Sequence, residues 1–359
     1  MATPLPTPGS ATPPAELQVV AERVEARIAT LLDAESARWG ALDPHLTEPL
    51  DALAQLVLGG GKRLRPTFCH WGFVAAGGDP DDPAVVDAGA AFELLQAFAL
   101  VHDDVMDGSA TRRGAPTVHR TFTDRHQAHA WRGESRRFGE GVAILVGDLA
   151  HVYAGRLLPD GPAELTRLWD ELRTELTVGQ YLDLQATAER ATSRQTARRI
   201  ARYKSGRYTV ERPLHVGAAL AGRADDLGIV LSAYGDPLGE AFQLRDDILG
   251  AFGDEARTGK PVGDDLREGK PTLLLAVAAE RWPPAEAALL GRLGAPDLSV
   301  DEVLAVQQVF VATGARAEVE ETIDRLADEA VAAISAAPIP GHAADALVRL
   351  ARFVASRDA

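Results

Sequence analysis

Two acidic clusters and several basic turns carry the side chains in this sequence that could do chemistry. Asp103, Asp104 and Asp107 stand in DDVMD, and Asp246 and Asp247 stand in RDDILGAFGD. On a helix, Asp103 and Asp107 share a face because they are four residues apart, and Gln96 lies roughly two turns (~10 Å) earlier. Gln243, Asp246 and Asp247, at i, i+3 and i+4, share another face. Carboxylates gathered at a helix C-terminal end meet the negative end of its dipole, so they cost stability unless a cation neutralises them. Hard oxygen donors with open positions suit Mg²⁺, which usually takes one or two carboxylates and completes its shell with water and substrate phosphates. A lone DDxxD is more often a solvated acidic helix end, so the rest of the chain must discriminate.

The basic groups are spaced to complement those acids. GGGKRLRP puts Lys62, Arg63 and Arg65 directly after Gly59–Gly61. It is not a nucleotide P-loop: Arg63 follows Lys62 where Ser or Thr is needed, and the leading glycine of that motif falls on Gln55 or Leu56. A basic turn suited to diphosphate remains, beside the plainer reading of a solvated charge run. Arg112 and Arg113 follow the first acidic cluster in GSATRRGAPT, within reach to clamp a polyphosphate or simply to pair with the aspartates. Gln180 and Asp183 are one turn apart in GQYLDL, Lys204 sits in YKSG, and TGKPVGDDLREGK carries Lys260, Asp264, Asp265 and Lys270.

The elements that must position these residues read as helices throughout. Phe92–Asp107 contains neither Gly nor Pro, places Phe92, Leu95, Phe98, Ala99 and Met106 at helical spacing, and stops at Gly108. Similar patterns predict helices over about 15–39, 48–58, 64–76, 138–158, 163–189 and 238–255, and amphipathic helices from about 271 to 357, broken at Pro283-Pro284, Gly294–Pro296, Gly314 and Pro338–Gly341. No run of strands with period two stands out, so the expected fold class is all-α, a single large bundle over 15–359 after a Pro/Ala/Thr-rich disordered tail, 1–14.

Composition sets the outer bounds. The 359 residues suffice for one large or two ordinary domains, and 46% hydrophobic with 25% charged residues is ordinary for a globular protein. A net charge of −15 argues against nucleic acid as a partner, so bound anions need local cations or a metal. Cys69 is the only cysteine, which excludes an intrachain disulfide and a cysteine-based zinc site and points to a reducing, cytoplasmic compartment. No run of ~18 consecutive apolar residues suggests a membrane span.

Taken together, GGGKRLRP, LLQAFALVHDDVMDGSATRRGAPT, GQYLDL, YKSG, FQLRDDILGAFGD and TGKPVGDDLREGK resemble the trans isoprenyl diphosphate synthases, or polyprenyl synthetases, in order and over about 59–275. The resemblance implies helices around a deep cavity, usually in a homodimer, with the two aspartate motifs facing each other across its mouth. It implies that Asp103, Asp107 and Asp247 bind a cluster of three Mg²⁺ ions with the diphosphate of an allylic substrate, supported by Asp104, Asp246 and Asp183. Arg112, Lys204 and Lys260 would hold that diphosphate too. Lys62, Arg65, Gln96 and Arg113 match positions that bind isopentenyl diphosphate, and Gln243 and Lys270 match further substrate contacts. Ionisation of the allylic C–O bond, attack by the isopentenyl double bond and loss of a proton to the departing diphosphate would follow.

Two details qualify the resemblance. The third acidic position of the family's second motif is Gly250 here, with Asp254 as the nearest candidate to replace it. Residues just before the first motif form the floor of the product pocket in this family. Phe98 beside small Ala99, with no insertion in DDVMD, is similar to enzymes that stop at geranylgeranyl diphosphate, with the farnesyl product as the alternative. A class I terpene cyclase shares the first motif but needs only one diphosphate site, leaving Lys62, Arg65, Gln96 and Arg113 without a purpose. A non-catalytic subunit of a heteromeric synthase is supported by Gly250 alone.

Overall fold

The computed structural model describes residues 13–253, 263–295 and 297–357. The expectations for the tail over 1–12, for Asp254 and for Lys260 lie outside these residues. Contacts divide the chain into two compact units: an N-terminal unit of 15–165 with 216–224, and a C-terminal unit of 166–215 with 225 onward.

In the N-terminal unit, α1 (Ala15–Gly40), α2 (Thr47–Leu58), α3 (Leu64–Ala75) and α6 (Ser135–Leu157) follow the expected pattern closely, α4 (Pro83–Asp107) extends it at the N-terminal end, and α5 (Val118–Ala128) is a helix that the sequence reading did not include. Helix α4 begins well before Phe92: the Asp82 side chain accepts from the Ala84 N–H, and Pro83 occupies the first turn, where its missing N–H costs nothing. Gly108 at φ 69° ends it in the left-handed conformation. α4 packs against α6, α3 and α1, and Phe68, Phe92, Leu94 and Leu95 are fully buried there. Each such side chain contributes about 1.5–3 kcal/mol on burial. By length and hydropathy α4 would suffice to cross a membrane, but 61% of its apolar window is buried inside the protein, as in the core helix of a globular fold.

One departure from the all-helical expectation lies between α4 and α5. Thr111–Arg112 (β1) and Ala115–Pro116 (β2) form a two-residue antiparallel hairpin. Arg113 and Gly114 turn at φ 53° and 74°, the positive pair that suits a tight hairpin turn.

The C-terminal unit holds α7 (Ala163–Ala188) from residue 166, α8 (Arg194–Ile200), a π-helical stretch (Ala201–Glu211), the first residues of α9 (Arg212–Leu220), α10 (Ala224–Phe252), α11 (Asp264–Glu268), α12 (Leu273–Ala279), α13 (Ala287–Arg292), α14 (Val300–Ala312), α15 (Ala315–Ser335) and α16 (Gly341–Ser356). Leu244, Ile248, Leu274, Phe310, Val319 and Ile323 form its core, so the inward face of α10 is fixed by packing one turn from the acidic pair. The stretch around Lys204 is π-helical, with wide turns that hydrophobic periodicity does not register.

Candidate active site

In the N-terminal unit the C-terminal turn of α4 and the hairpin after it are tied together. Arg112 Nε donates to both oxygens of Asp104 at 2.8 and 3.0 Å, and its Nη2 reaches Asp104 Oδ1 at 2.7 Å and Asp103 Oδ2 at 3.5 Å. Asp104 is 2% exposed, whereas Asp103 and Asp107 on the neighbouring face are half-buried. The three aspartates therefore differ in kind: Asp104 is a buried anchor for the guanidinium, whereas Asp103 and Asp107 are less deeply buried and share the neighbouring face. Met106, expected on the apolar side, is 48% exposed because the helix end leaves the core there.

The basic turn divides in the same way. Arg63 adopts a left-handed φ of 52° as it enters α3 and points inward: Nη1 meets Glu93 Oε2 at 2.6 Å, Nε meets Glu25 Oε1 at 2.9 Å and Nη2 donates to Val57 O at 2.6 Å. It is a structural cation. Lys62 and Arg65 on either side stay half-exposed. Arg113 Nη1 donates to Gly60 O, and its Nη2 would lie 3.2 Å from a Cβ at Gly61, so the glycine loop lies against this guanidinium. Burial pushes the Arg113 guanidinium below its ordinary range, with Arg63, Arg112 and Arg65 adding like-charge repulsion and Glu93 opposing it. Cations separated by fifty residues of sequence thus share one region, and a site of that charge favours a polyanion. Gln96 Oε1, two turns before Asp103, is buried with no hydrogen-bond partner among the described residues.

Phe98 lies against His102 and His151, with ring centroids 4.7 and 4.9 Å apart. Ala99 beside it is half-buried. His151, from α6, escaped the sequence reading because no spacing rule links it to α4.

In the C-terminal unit Lys204 Nζ meets Asp183 Oδ2 at 2.5 Å, and Gln243 Nε2 donates to Asp247 Oδ1 at 2.8 Å. Asp246 turns toward Arg357 Nη2 at 2.6 Å, a partner that its place near the chain end did not suggest. Asp247 is 7% exposed, and burial, with Asp265, Asp246 and Asp183 nearby, pushes its carboxyl up to about 8 although Gln243 favours the ionised form. Lys270 Nζ lies 2.5 Å from Glu268 and 3.7 Å from Asp265.

Gly250 explains itself. A Cβ there would lie 1.8 Å from Asp265 Oδ2 and 2.5 Å from its Cγ, so the Asp265 carboxylate fills the space that a side chain at 250 would need. Position 250 is one turn beyond Asp246 and Asp247 on α10. A carboxylate therefore stands beside the acidic pair after all, delivered by α11 instead of α10. The Asp264-Asp265 pair after Gly263 was the available signal; only folding shows which aspartate reaches back.

Among the described residues, no three His, Cys, Asp or Glu side chains already converge on a metal-sized site. Within the N-terminal unit Asp103 and Asp107 offer two hard oxygen donors on one helix face, a type of donor that suits Mg²⁺. Within the C-terminal unit Asp247 is a buried carboxyl whose ionised form a cation would stabilise.

Comparison with known proteins gives a consistent result. The polyprenyl synthetase family model matches residues 44–309. A geranylgeranyl diphosphate synthase of Mycobacterium tuberculosis is 34% identical over 307 residues, 83% of this chain and 80% of the relative. A nonaprenyl diphosphate synthase of the same organism is 30% identical over 308 residues, 86% of each chain. The crystal structure of a geranylgeranyl pyrophosphate synthase from Corynebacterium glutamicum, complexed with isoprenyl diphosphate and magnesium, superposes with a TM-score of 0.89 at 39% identity, covering 95% of this chain and 99% of that one.

Proposed function

This chain belongs to the polyprenyl synthetase family and is a prenyl-transferring enzyme, and from that premise we propose a Mg²⁺-dependent condensation of isopentenyl diphosphate with an allylic diphosphate that ends at geranylgeranyl diphosphate. One observation carries the reading of the site: in each unit an acidic helix face is accompanied by cations, Arg112 at Asp103 and Asp104, and Lys204 at Asp183. A single diphosphate would not require both sets together with the Arg65, Arg113 and Gln96 region.

Asp103, Asp107 and Asp247 would hold the metal, taken as three ions with the allylic diphosphate. Magnesium, when bound, neutralises diphosphate charge and so makes diphosphate a competent leaving group. Arg112, anchored by Asp104, presents its guanidinium to that diphosphate without needing to be oriented by the substrate. Lys204, oriented by Asp183, and Lys260 add positive charge. Gln243 steadies Asp247, and Asp265 provides a carboxylate at the position that Gly250 leaves without one. Lys62, Arg65, Arg113 and the Gln96 amide would bind isopentenyl diphosphate, with Lys270 a further substrate contact. The allylic C–O bond breaks, the isopentenyl double bond forms the new C–C bond, and the proton lost from the adjacent carbon goes to the departing diphosphate.

Overall similarity does not choose the product, because relatives of 34% and 30% identity carry names with different chain lengths. The choice rests on Phe98, closed in by His102 and His151. The family match runs through both units, which supports one synthase domain over 15–359. Exposed Ile144, Leu145 and Val152 on α6 support a homodimer, and the single buried Cys69 agrees with a reducing cytoplasm. The decisive experiment incubates the purified chain with Mg²⁺, labelled isopentenyl diphosphate and dimethylallyl, geranyl or farnesyl diphosphate, then measures the dephosphorylated products. A linear twenty-carbon alcohol is expected. A fifteen-carbon alcohol would overturn the pocket reading, and cyclic hydrocarbon without incorporation would make the chain a cyclase.

A further inference from the structure

The π-helical stretch that carries Lys204 is held between two helices by backbone crossings that tolerate no side chain. On one side, a Cβ added at buried Gly179 of α7 would lie 2.4 Å from Lys204 N, 2.6 Å from Lys204 Cα and 2.6 Å from Tyr203 C. On the other, a Cβ at Gly239 of α10 would lie 2.5 Å from Gly206 O and 2.7 Å from Gly206 C, and a Cβ at Gly206 would lie 2.9 Å from Gly239 C. The obstructing atoms are backbone in every case, so they cannot swing aside as a flexible side chain would.

These crossings coincide with the sequence motifs. Asp183, which pairs with Lys204, is one turn after Gly179, so one face of α7 supplies both the close approach and the carboxylate. Gln243, which steadies Asp247, is one turn after Gly239 on α10. Lys204 and Gly206 are two residues apart, which places them on nearly opposite sides of a helical turn. The lysine therefore faces α7 while the glycine meets α10. Wide π-turns recur at functional sites because they re-aim a residue without breaking the helix.

We propose that Gly179 and the Gly206–Gly239 crossing are positioning residues that fix where the Lys204 ammonium stands relative to Asp183 and Gln243, and thereby set affinity for the allylic diphosphate. The inference rests on reading Lys204 as a holder of that diphosphate. A methyl group at either crossing pushes the π-segment away by a fraction of its diameter, and Lys204 moves with it.

The test compares the full-length wild type with G179A, G239A and two controls. Gly217→Ala is equally crowded, its Cβ meeting Cys69 O at 2.1 Å in the N-terminal unit, whereas Gly228→Ala meets nothing within 4 Å. Measured are Tm, calorimetric affinity for inorganic diphosphate with Mg²⁺, and the KM for each substrate. G179A and G239A are expected to weaken diphosphate binding and raise the allylic KM by about 10- to 100-fold, with the isopentenyl KM within about twofold of wild type. G217A should lower Tm comparably while leaving both KM values in place, and G228A should change neither.

A folded G179A or G239A with an unchanged allylic KM, or with both KM values raised equally, would overturn the inference. Should neither variant fold, Asp183→Asn decides, since it releases Lys204 without a backbone collision; an unchanged allylic KM there overturns it too. Failure of the wild type itself to bind diphosphate with Mg²⁺ would remove the underlying reading, whereas normal wild-type turnover with an unaffected G179A removes only this inference.

Discussion

Asp247 keeps its proton far above the ordinary carboxylate range, to about 8, chiefly because it is buried and secondarily because Asp265, Asp246 and Asp183 lie near. Between about pH 4 and 8 the folded, metal-free chain holds a proton that the unfolded chain releases. The group therefore withdraws stability as pH rises, at up to about 1.4 kcal/mol per pH unit. Asp247→Asn in a chelator should raise Tm, and the gain should grow from pH 5 to pH 8; a gain independent of pH would contradict the assignment. The same substitution should abolish Mg²⁺-dependent turnover, because the neutral amide cannot replace a carboxylate toward a cation. Asp103→Ala should lower turnover by at least about 10²-fold with Tm nearly unchanged, since Asp104 and not Asp103 anchors Arg112. Near-normal activity would sink the metal assignment. Phe98→Ala opens the space bounded by His102 and His151, and the product analysis should shift to longer chains.

At the scale of elements, single residues decide how helices enter and meet. Arg63 ties the start of α3 to α1 through Glu25, to α4 through Glu93 and to the end of α2 through Val57 O. Removing it strands a buried carboxylate, so Arg63→Ala should cost about 3–5 kcal/mol in denaturant unfolding; a loss under about 1 kcal/mol would mean it is only a surface cation. Between α10 and α11 the relation is reciprocal. Gly250→Asp should collide with Asp265 and lower both Tm and Mg²⁺-dependent turnover, and adding Asp265→Gly should restore part of both by returning the carboxylate to α10. No recovery in the double variant would show that Asp265 has a separate task. The hairpin at Thr111–Pro116 acts similarly, since its tight turn at Arg113-Gly114 aims Arg112 back at α4.

For the whole molecule, family membership and the helical architecture follow from the order of motifs, because each motif combines a chemical requirement with a helical spacing that the sequence displays directly. Most helix spans were legible for the same reason, since periodicity and the stop at Gly108 are local signals, but the start of α4 at Pro83 and the whole of α5 were not read from them. So were the acidic faces, as Asp103 with Asp107 and Gln243 with Asp247 are neighbours through a single turn. Light scattering of the purified chain should give twice the 38.1 kDa mass if the exposed apolar residues of α6 cover a second copy; a monomer at micromolar concentration would leave that face unexplained. What the sequence could not assign were choices among equivalent side chains distant in the chain. Three cations in GGGKRLRP look alike until Glu25, Glu93 and Val57 O claim Arg63. Three aspartates look alike until Arg112 claims Asp104, and Gly250 looks like a loss until α11 brings Asp265 over it. Local spacing fixes which residues share a face. Which of them is buried, paired or left for a ligand depends on long-range packing, and only the tertiary structure decides that.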